Sequence, residues 1–130
     1  MRITRVLTGV LLLTTMALAQ GTWTPLTTGV TATLRGISAV SADVAWSSGN
    51  RGTVLRTLDG GATWRNVSPA GHAALDFRDV DAISAQVAYI LSIGNGDASR
   101  ILKTTDGGST WVEQFVNSDA DGFFDAMSFW

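Results

Sequence analysis

The segment Thr57-Leu58-Asp59-Gly60-Gly61-Ala62-Thr63-Trp64 returns 47 residues later as Thr104-Thr105-Asp106-Gly107-Gly108-Ser109-Thr110-Trp111, and this duplication constrains the fold more than any other feature. Its composition is that of a tight corner. A carboxylate at the head of a turn accepts hydrogen bonds from amides a few residues on, and paired glycines admit the positive φ that a side chain would oppose. Thr63 and Thr110 bring hydroxyls to the corner, and Trp64 and Trp111 begin the next strand with a large apolar plate that covers it. Two such corners at a fixed spacing require two copies of one supersecondary unit.

The rest of the unit repeats as well. Arg35-Gly36-Ile37-Ser38-Ala39-Val40-Ser41-Ala42-Asp43-Val44-Ala45-Trp46 matches Arg78-Asp79-Val80-Asp81-Ala82-Ile83-Ser84-Ala85-Gln86-Val87-Ala88-Tyr89 at an offset of 43. The four additional residues fall around Gly94-Asn95-Gly96-Asp97, where Asn-Gly predicts a type I′ hairpin turn. A third copy opens with Phe124-Asp125-Ala126-Met127, 47 residues after Phe77-Arg78-Asp79-Val80. Within the first unit the Val-, Ile-, Thr- and Trp-rich runs predict strands over Leu34 to Val40, Val44 to Ser48, Thr53 to Thr57 and Thr63 to Val67, separated by Gly49-Asn50, the Asp59 corner and Pro69. Val54-Leu55 and Ile101-Leu102 are apolar on both sides of the pleat, as strands covered on each face require.

Short strands at a period of 40 to 50 residues describe the blades of a β-propeller. The expected fold class is all-β: a partial propeller of two complete four-stranded antiparallel blades (34–70 and 75–117) and the first strand of a third (123–130). Trp23-Thr24-Pro25-Leu26 resembles the strand after each corner, so 23–33 is expected to supply the outer strand of a preceding or closing blade. A ring takes about four to eight blades. The chain is therefore expected to be the N-terminal part of a longer protein, or a truncated product that pairs with other copies.

Residues 1–19 predict a signal peptide: Arg2 and Arg5, the apolar run Val6 to Leu13, and the small residues Ala17 and Ala19 ahead of a cleavage site after Ala19. A buried or amphipathic first helix would need polar positions inside that run, which is almost wholly apolar. The expected location is secreted or periplasmic, with no membrane association once the leader is removed. The mature part, 20–130, holds seven basic residues against eleven acidic, which argues against nucleic acid as a partner. With no cysteine, neither disulfides nor thiolate metal sites contribute to stability.

The pattern [Ser/Thr]-x-Asp-x-Gly-x-Thr-Trp resembles the Asp-box of sialidase-like propellers, the bacterial neuraminidase repeat. The form Thr-x-Asp-Gly-Gly-x-Thr-Trp is most similar to the propellers related to the photosystem II stability and assembly factor, over 21–130. That resemblance implies a non-catalytic module that binds a protein or peptide as an assembly scaffold. A sialidase-like or other glycoside hydrolase propeller, with its catalytic residues in further blades and carbohydrate as its ligand, is the alternative. The Asp-box residues Thr57, Asp59, Gly60, Gly61, Thr63, Trp64, Thr104, Asp106, Gly107, Gly108, Thr110 and Trp111 are read as structural.

No residue set is expected to be catalytic. Sialidases of this repeat use an arginine cluster, a Tyr and Glu pair and an Asp; here Tyr89 falls in an apolar strand and Glu113 on a solvated outer strand. Asp76, Asp79 and Asp81 cluster, but the counterparts of Asp79 and Asp81 are Gly36 and Ser38, so no carboxylate pair repeats. Asn117-Ser118-Asp119-Ala120-Asp121-Gly122 matches the opening half of a calcium loop but has Ser128 where the closing Glu belongs, and a polar inter-blade loop is expected instead. His72 stands alone, so no metal or cofactor is expected. The partner-binding candidates are arginines: Arg35 and Arg78 at equivalent starts of the innermost strands, and Arg51 and Arg100 in inter-strand loops, where guanidinium forks suit carboxylates or acidic peptides. Ion pairs between blades are the competing use of Arg35 and Arg78. The open blade faces of an isolated chain are expected to promote self-association.

Overall fold

A computed structural model describes residues 22–129; the predicted leader and Trp130 lie outside the described residues. The chain forms two four-stranded antiparallel sheets, each a meander in sequence order. The first comprises β1 (Leu34–Ala39), β2 (Ala45–Gly49), β3 (Val54–Thr57) and β4 (Arg65–Asn66). The second comprises β5 (Asp76–Ala82), β6 (Ala88–Ile93), β7 (Arg100–Thr104) and β8 (Val112–Val116). These are two consecutive blades of a partial propeller. β5 packs on β1 and β2, which places the β1 and β5 edges at the hub and β4 and β8 at the rim.

The registers of the two blades coincide. Ile37 faces Ser47 and Val80 faces Ile90, and both innermost strands carry an irregularity near their start, at Arg35 and at Arg78. Close approach at the hub needs a small residue: a Cβ at Gly36 would lie 3.1 Å from both the Arg78 carbonyl oxygen and the Asp79 Cα. The core sits between the blades, where Trp46 and Val54 of the first meet Phe77, Val80, Ile90 and Leu102 of the second. All of these are buried, so one apolar face of the middle strands is spent on blade-to-blade packing.

Polar pins cross the same seam. Trp46 Nε1 donates to the Ser84 carbonyl at 3.0 Å, Arg56 Nη1 to the Ala85 carbonyl at 2.6 Å, Trp111 Nε1 to the Val67 carbonyl at 2.8 Å, and the Ala82 amide to Ser38 Oγ at 3.1 Å. Each joins one blade to the next.

Four local expectations are corrected. The strands begin or end one residue away from their predicted limits, and the outer strand of the first blade is only Arg65–Asn66, since Thr63 and Trp64 belong to the corner. Asn95-Gly96 does not form a type I′ turn: Asn95 has φ −77°, and Gly96–Ala98 make a single 3₁₀ turn instead. The additional loop residues allow this, because the Gly96 amide bonds to the Gly122 carbonyl at 3.1 Å and Ser92 Oγ donates to the Ala98 carbonyl at 2.6 Å. Residues 23–26 pair with no strand; Leu26 lies against the first corner, where a Cβ at Gly61 would meet its side chain, as one at Gly108 would meet Val67. Residues 124–129 likewise form no ladder, and lie on β5 through two amides, Met127 to Asp79 Oδ2 at 2.8 Å and Phe129 to Asp81 Oδ2 at 2.9 Å.

Candidate functional site

The strand directions divide the side chains between two ends of the blades. At one end lie the β1–β2 and β3–β4 turns, the latter being the aspartate corners. At the other lie the β2–β3 turn, the interblade loop 67–75 and the starts of β1, β5 and β7.

The aspartate corners are nearly identical. Asp59 Oδ1 accepts from the Thr63 amide and from Thr57 Oγ1, both at 2.8 Å, and its Oδ2 accepts from Thr63 Oγ1 at 2.6 Å. Asp106 repeats this with Thr110 and Thr104 at 2.8, 2.9 and 2.6 Å. Thr57 Oγ1 and Thr104 Oγ1 in turn accept from the Gly61 and Gly108 amides, and all four corner glycines have positive φ. Hydrogen bonds from the Thr110 hydroxyl and amide hold the Asp106 carboxyl at about 2, and those from Thr63 lower Asp59 in the same direction. Both carboxylates are engaged by their own turns. The corners dock on the neighbouring turn of their blade, Gly60 to the Asp43 carbonyl and Gly107 to the Gln86 carbonyl, each at 2.9 Å.

The four candidate arginines gather at the opposite end. Arg35 and Arg78 sit on the irregular residues of β1 and β5, an arrangement that re-aims a side chain relative to the regular pleat. Arg35 Nε lies 3.0 Å from Asp76 Oδ1, and Arg78 Nε lies 3.3 Å from Asp125 Oδ1. The first pair thus ties β1 to β5, and the second ties β5 to the segment 124–129. Arg100 Nη1 donates to Glu113 at 2.8 Å and its Nη2 to Asp97 at 3.2 Å. The Arg100 hydrogen bond, followed by that of His72, lowers the Glu113 carboxyl from the usual range. Arg51 differs. It is exposed at the tip of the β2–β3 turn, has φ +57°, and among the described residues faces no carboxylate within ion-pair distance. Its turn rests on the interblade loop through the Gly52 amide and the Leu75 carbonyl, at 2.7 Å.

The remaining candidates serve the framework. Asp79 and Asp81 accept the amides of Met127 and Phe129. Asn117 and Asp119 turn onto the backbone of their own loop, Asn117 Nδ2 donating to the Gly122 carbonyl at 2.9 Å and the Asp121 amide to Asp119 Oδ1 at 3.0 Å. Among the described residues no three His, Asp or Glu side chains converge as a metal site would require. Tyr89 stacks on Phe129 with centroids 4.3 Å apart, and His72 Nε2 lies 3.3 Å from Glu113 Oε1.

One pairing went unread in the sequence. Trp46 and Arg56 are cross-strand partners, with the guanidinium 5.4 Å from the indole centroid, and Tyr89 and Lys103 repeat the arrangement at 5.0 Å. Arg56 is buried, and that burial lowers it from the ordinary arginine value, Arg65 adding to the effect. An aromatic residue on each second strand and a cation on each third were the available signal.

The model of the photosynthesis system II assembly factor YCF48 family matches residues 15–123. The chain belongs to this family. Two solved YCF48 structures resemble it. One, described as YCF48 bound to D1 peptide, is 26% identical with a TM-score of 0.57, over 69% of this chain and 28% of that one. The other, YCF48 from Cyanidioschyzon merolae, is 28% identical with a TM-score of 0.53, over 72% of this chain and 29% of that one. The chain thus spans less than a third of the length of these YCF48 structures. Among curated proteins no sequence matches it.

Proposed function

We propose that this chain is an exported, non-catalytic peptide-binding module of the YCF48 type, which engages a carboxylate-bearing or acidic peptide at its arginine end. The observation that carries the reading is Arg51: a guanidinium presented at a turn tip, on the same end as Arg35, Arg78 and Arg100, and among the described residues within ion-pair distance of no carboxylate. A solved relative bound to a peptide supports the class of partner. Export rests on the leader pattern in residues 1–19. Carbohydrate has no comparable support, since Asp79, Asp81, Asp59 and Asp106 are all committed to amides or hydroxyls of the framework. The exposed apolar residues of the blade faces, Ile37 at 72% and Ile83 at 59%, further support association of the chain with copies of itself.

Calorimetric titration with short peptides, acidic against neutral at matched length, tests the binding role. Acidic peptides should bind more tightly, with affinity falling as salt is raised, and Arg51→Glu should weaken them by about tenfold. Equal binding of neutral peptides, or indifference to Arg51→Glu, would sink the proposal.

A further inference from the structure

The sequence holds one histidine, and its ring stands between two acceptors. His72 Nδ1 lies 2.9 Å from the Ala70 carbonyl oxygen, and Nε2 lies 3.3 Å from Glu113 Oε1. A neutral imidazole carries one N–H and can donate to only one of these oxygens, which leaves a lone pair against the other; the imidazolium donates to both. Protonation therefore closes a clasp from the interblade loop 67–75 onto β8. Among the described residues, the charged groups grouped with the ring are Glu113 of β8 and, on the same carboxylate oxygen at 2.8 Å, Arg100 of β7. Asp97 of the 3₁₀ turn lies 3.2 Å from Arg100 and offsets part of that second positive charge.

The loop that His72 anchors is the floor of the Arg51 turn. The Gly52 amide donates to the Leu75 carbonyl at 2.7 Å, and the Leu75 amide donates to the His72 carbonyl at 3.0 Å. A Cβ at Gly52 would lie 2.5 Å from that same His72 carbonyl oxygen, so the turn rests directly on the histidine backbone. Arg51 and Gly52 both have positive φ, at 57° and 65°, and a non-glycine residue holds that conformation only where its surroundings support it. A shift of the loop at His72 is passed to Arg51 with no side chain between them.

We propose that His72 is a positioning residue for Arg51: its proton fixes the interblade loop, and with it the turn that presents the guanidinium, so the arginine end takes an acidic peptide more tightly below the histidine titration than above it. This deepens the peptide-binding reading and rests on it. As pH rises the ring loses its proton, one of its two contacts becomes a repulsion between lone pairs, and the clasp weakens. At the acid limit, protonation of Glu113 opens the same clasp. Hydrogen bonds from Arg100 and then His72 hold that carboxyl below its usual range, so the favourable window extends downward from the histidine titration.

Two measurements on the full chain test it. The first needs no peptide: hydrogen-exchange protection of the Gly52 amide, corrected for the intrinsic pH dependence of exchange, reports the bond to the Leu75 carbonyl. Between about pH 5.5 and about pH 8, where histidine titrates and aspartate does not, protection should fall by about fivefold, the factor that corresponds to one ordinary hydrogen bond. In His72→Gln it should be flat with pH. The second is calorimetric titration over the same range with an N-acetylated peptide whose acidic groups are aspartates and the C-terminal carboxylate, so that its own charge stays constant. Affinity should fall by a similar factor in the natural chain and stay level in His72→Gln, and thermal melting of the variant identifies any loss that comes from unfolding. Gly52 protection that ignores pH, or that changes equally in His72→Gln, overturns the proposal. Peptide affinity that stays level in the natural chain overturns it as well. A peptide that binds at no pH overturns the peptide-binding reading, while a Gly52 amide that still follows His72 in that case upholds the clasp.

Discussion

Trp46 offers the sharpest perturbation of the seam. Its ring is fully buried, its Nε1 donates to Ser84 in the next blade, and its edge meets Trp111. Burial of an aromatic side chain removes about 150–250 Å² from water, which at about 25 cal/mol per Å² amounts to roughly 4–6 kcal/mol. Alanine retains part of that, while loss of the Ser84 bond adds about 1 kcal/mol. Trp46→Ala is therefore expected to cost about 3–5 kcal/mol, the usual range for a large aromatic in a core. A domain of this size is stable by only about 5–15 kcal/mol. Urea unfolding followed by far-ultraviolet circular dichroism at low protein concentration measures the change. Trp23→Ala is the control, because Trp23 is fully exposed and its loss should stay within about 0.5 kcal/mol. A Trp46→Ala effect below about 1 kcal/mol, or one no larger than that of Trp23→Ala, would refute the packing of the two blades described here.

Two further outcomes follow from the corners. Gly108→Ala combines positive φ with a Cβ 2.5 Å from Val67 Cβ, whereas Gly71→Ala has φ +80° and open space. The second should lose about 1–2 kcal/mol of strain alone, and the first should lose a further 1–3 kcal/mol or so of overpacking; equal losses in thermal melts would contradict the contact. The Asp106 carboxyl stands at about 2, below the ordinary range of an aspartate, so its contribution is fully present above the unfolded value and disappears as pH falls through the folded one. Urea midpoints measured from pH 5 to pH 2 should decline, and Asp106→Asn should flatten that decline; an unchanged slope would show that the corner does not carry it.

The legibility of this chain in its sequence follows from where its chemistry is local. The Asp59 and Asp106 corners were readable because every partner lies within four residues, so residue type and order specify the geometry. Blade number and strand order followed from the spacing. The roles of Asp79 and Asp81 were not readable, since their partners lie 48 residues away and their counterparts, Gly36 and Ser38, lack a carboxylate. Arg56 was missed because a cation in an apolar run reads as surface until its cross-strand neighbour is known. Asn95-Gly96 misled because a favourable dipeptide yields to a longer loop anchored on Gly122. Among the arginines, place in the repeat indicated the end of the blades on which they lie. The fold separates Arg35, Arg78 and Arg100, each paired with carboxylates, from Arg51, because those partners lie on other strands and loops.

Mapping a bound acidic peptide by amide chemical-shift perturbation in the isotope-labelled chain addresses the arginine end most directly. The largest changes are expected at Asn50 to Gly52 and along the adjoining loop from His72 to Leu75. Changes confined to the aspartate corners at Asp59 and Asp106, or spread evenly over the blade faces, would contradict it.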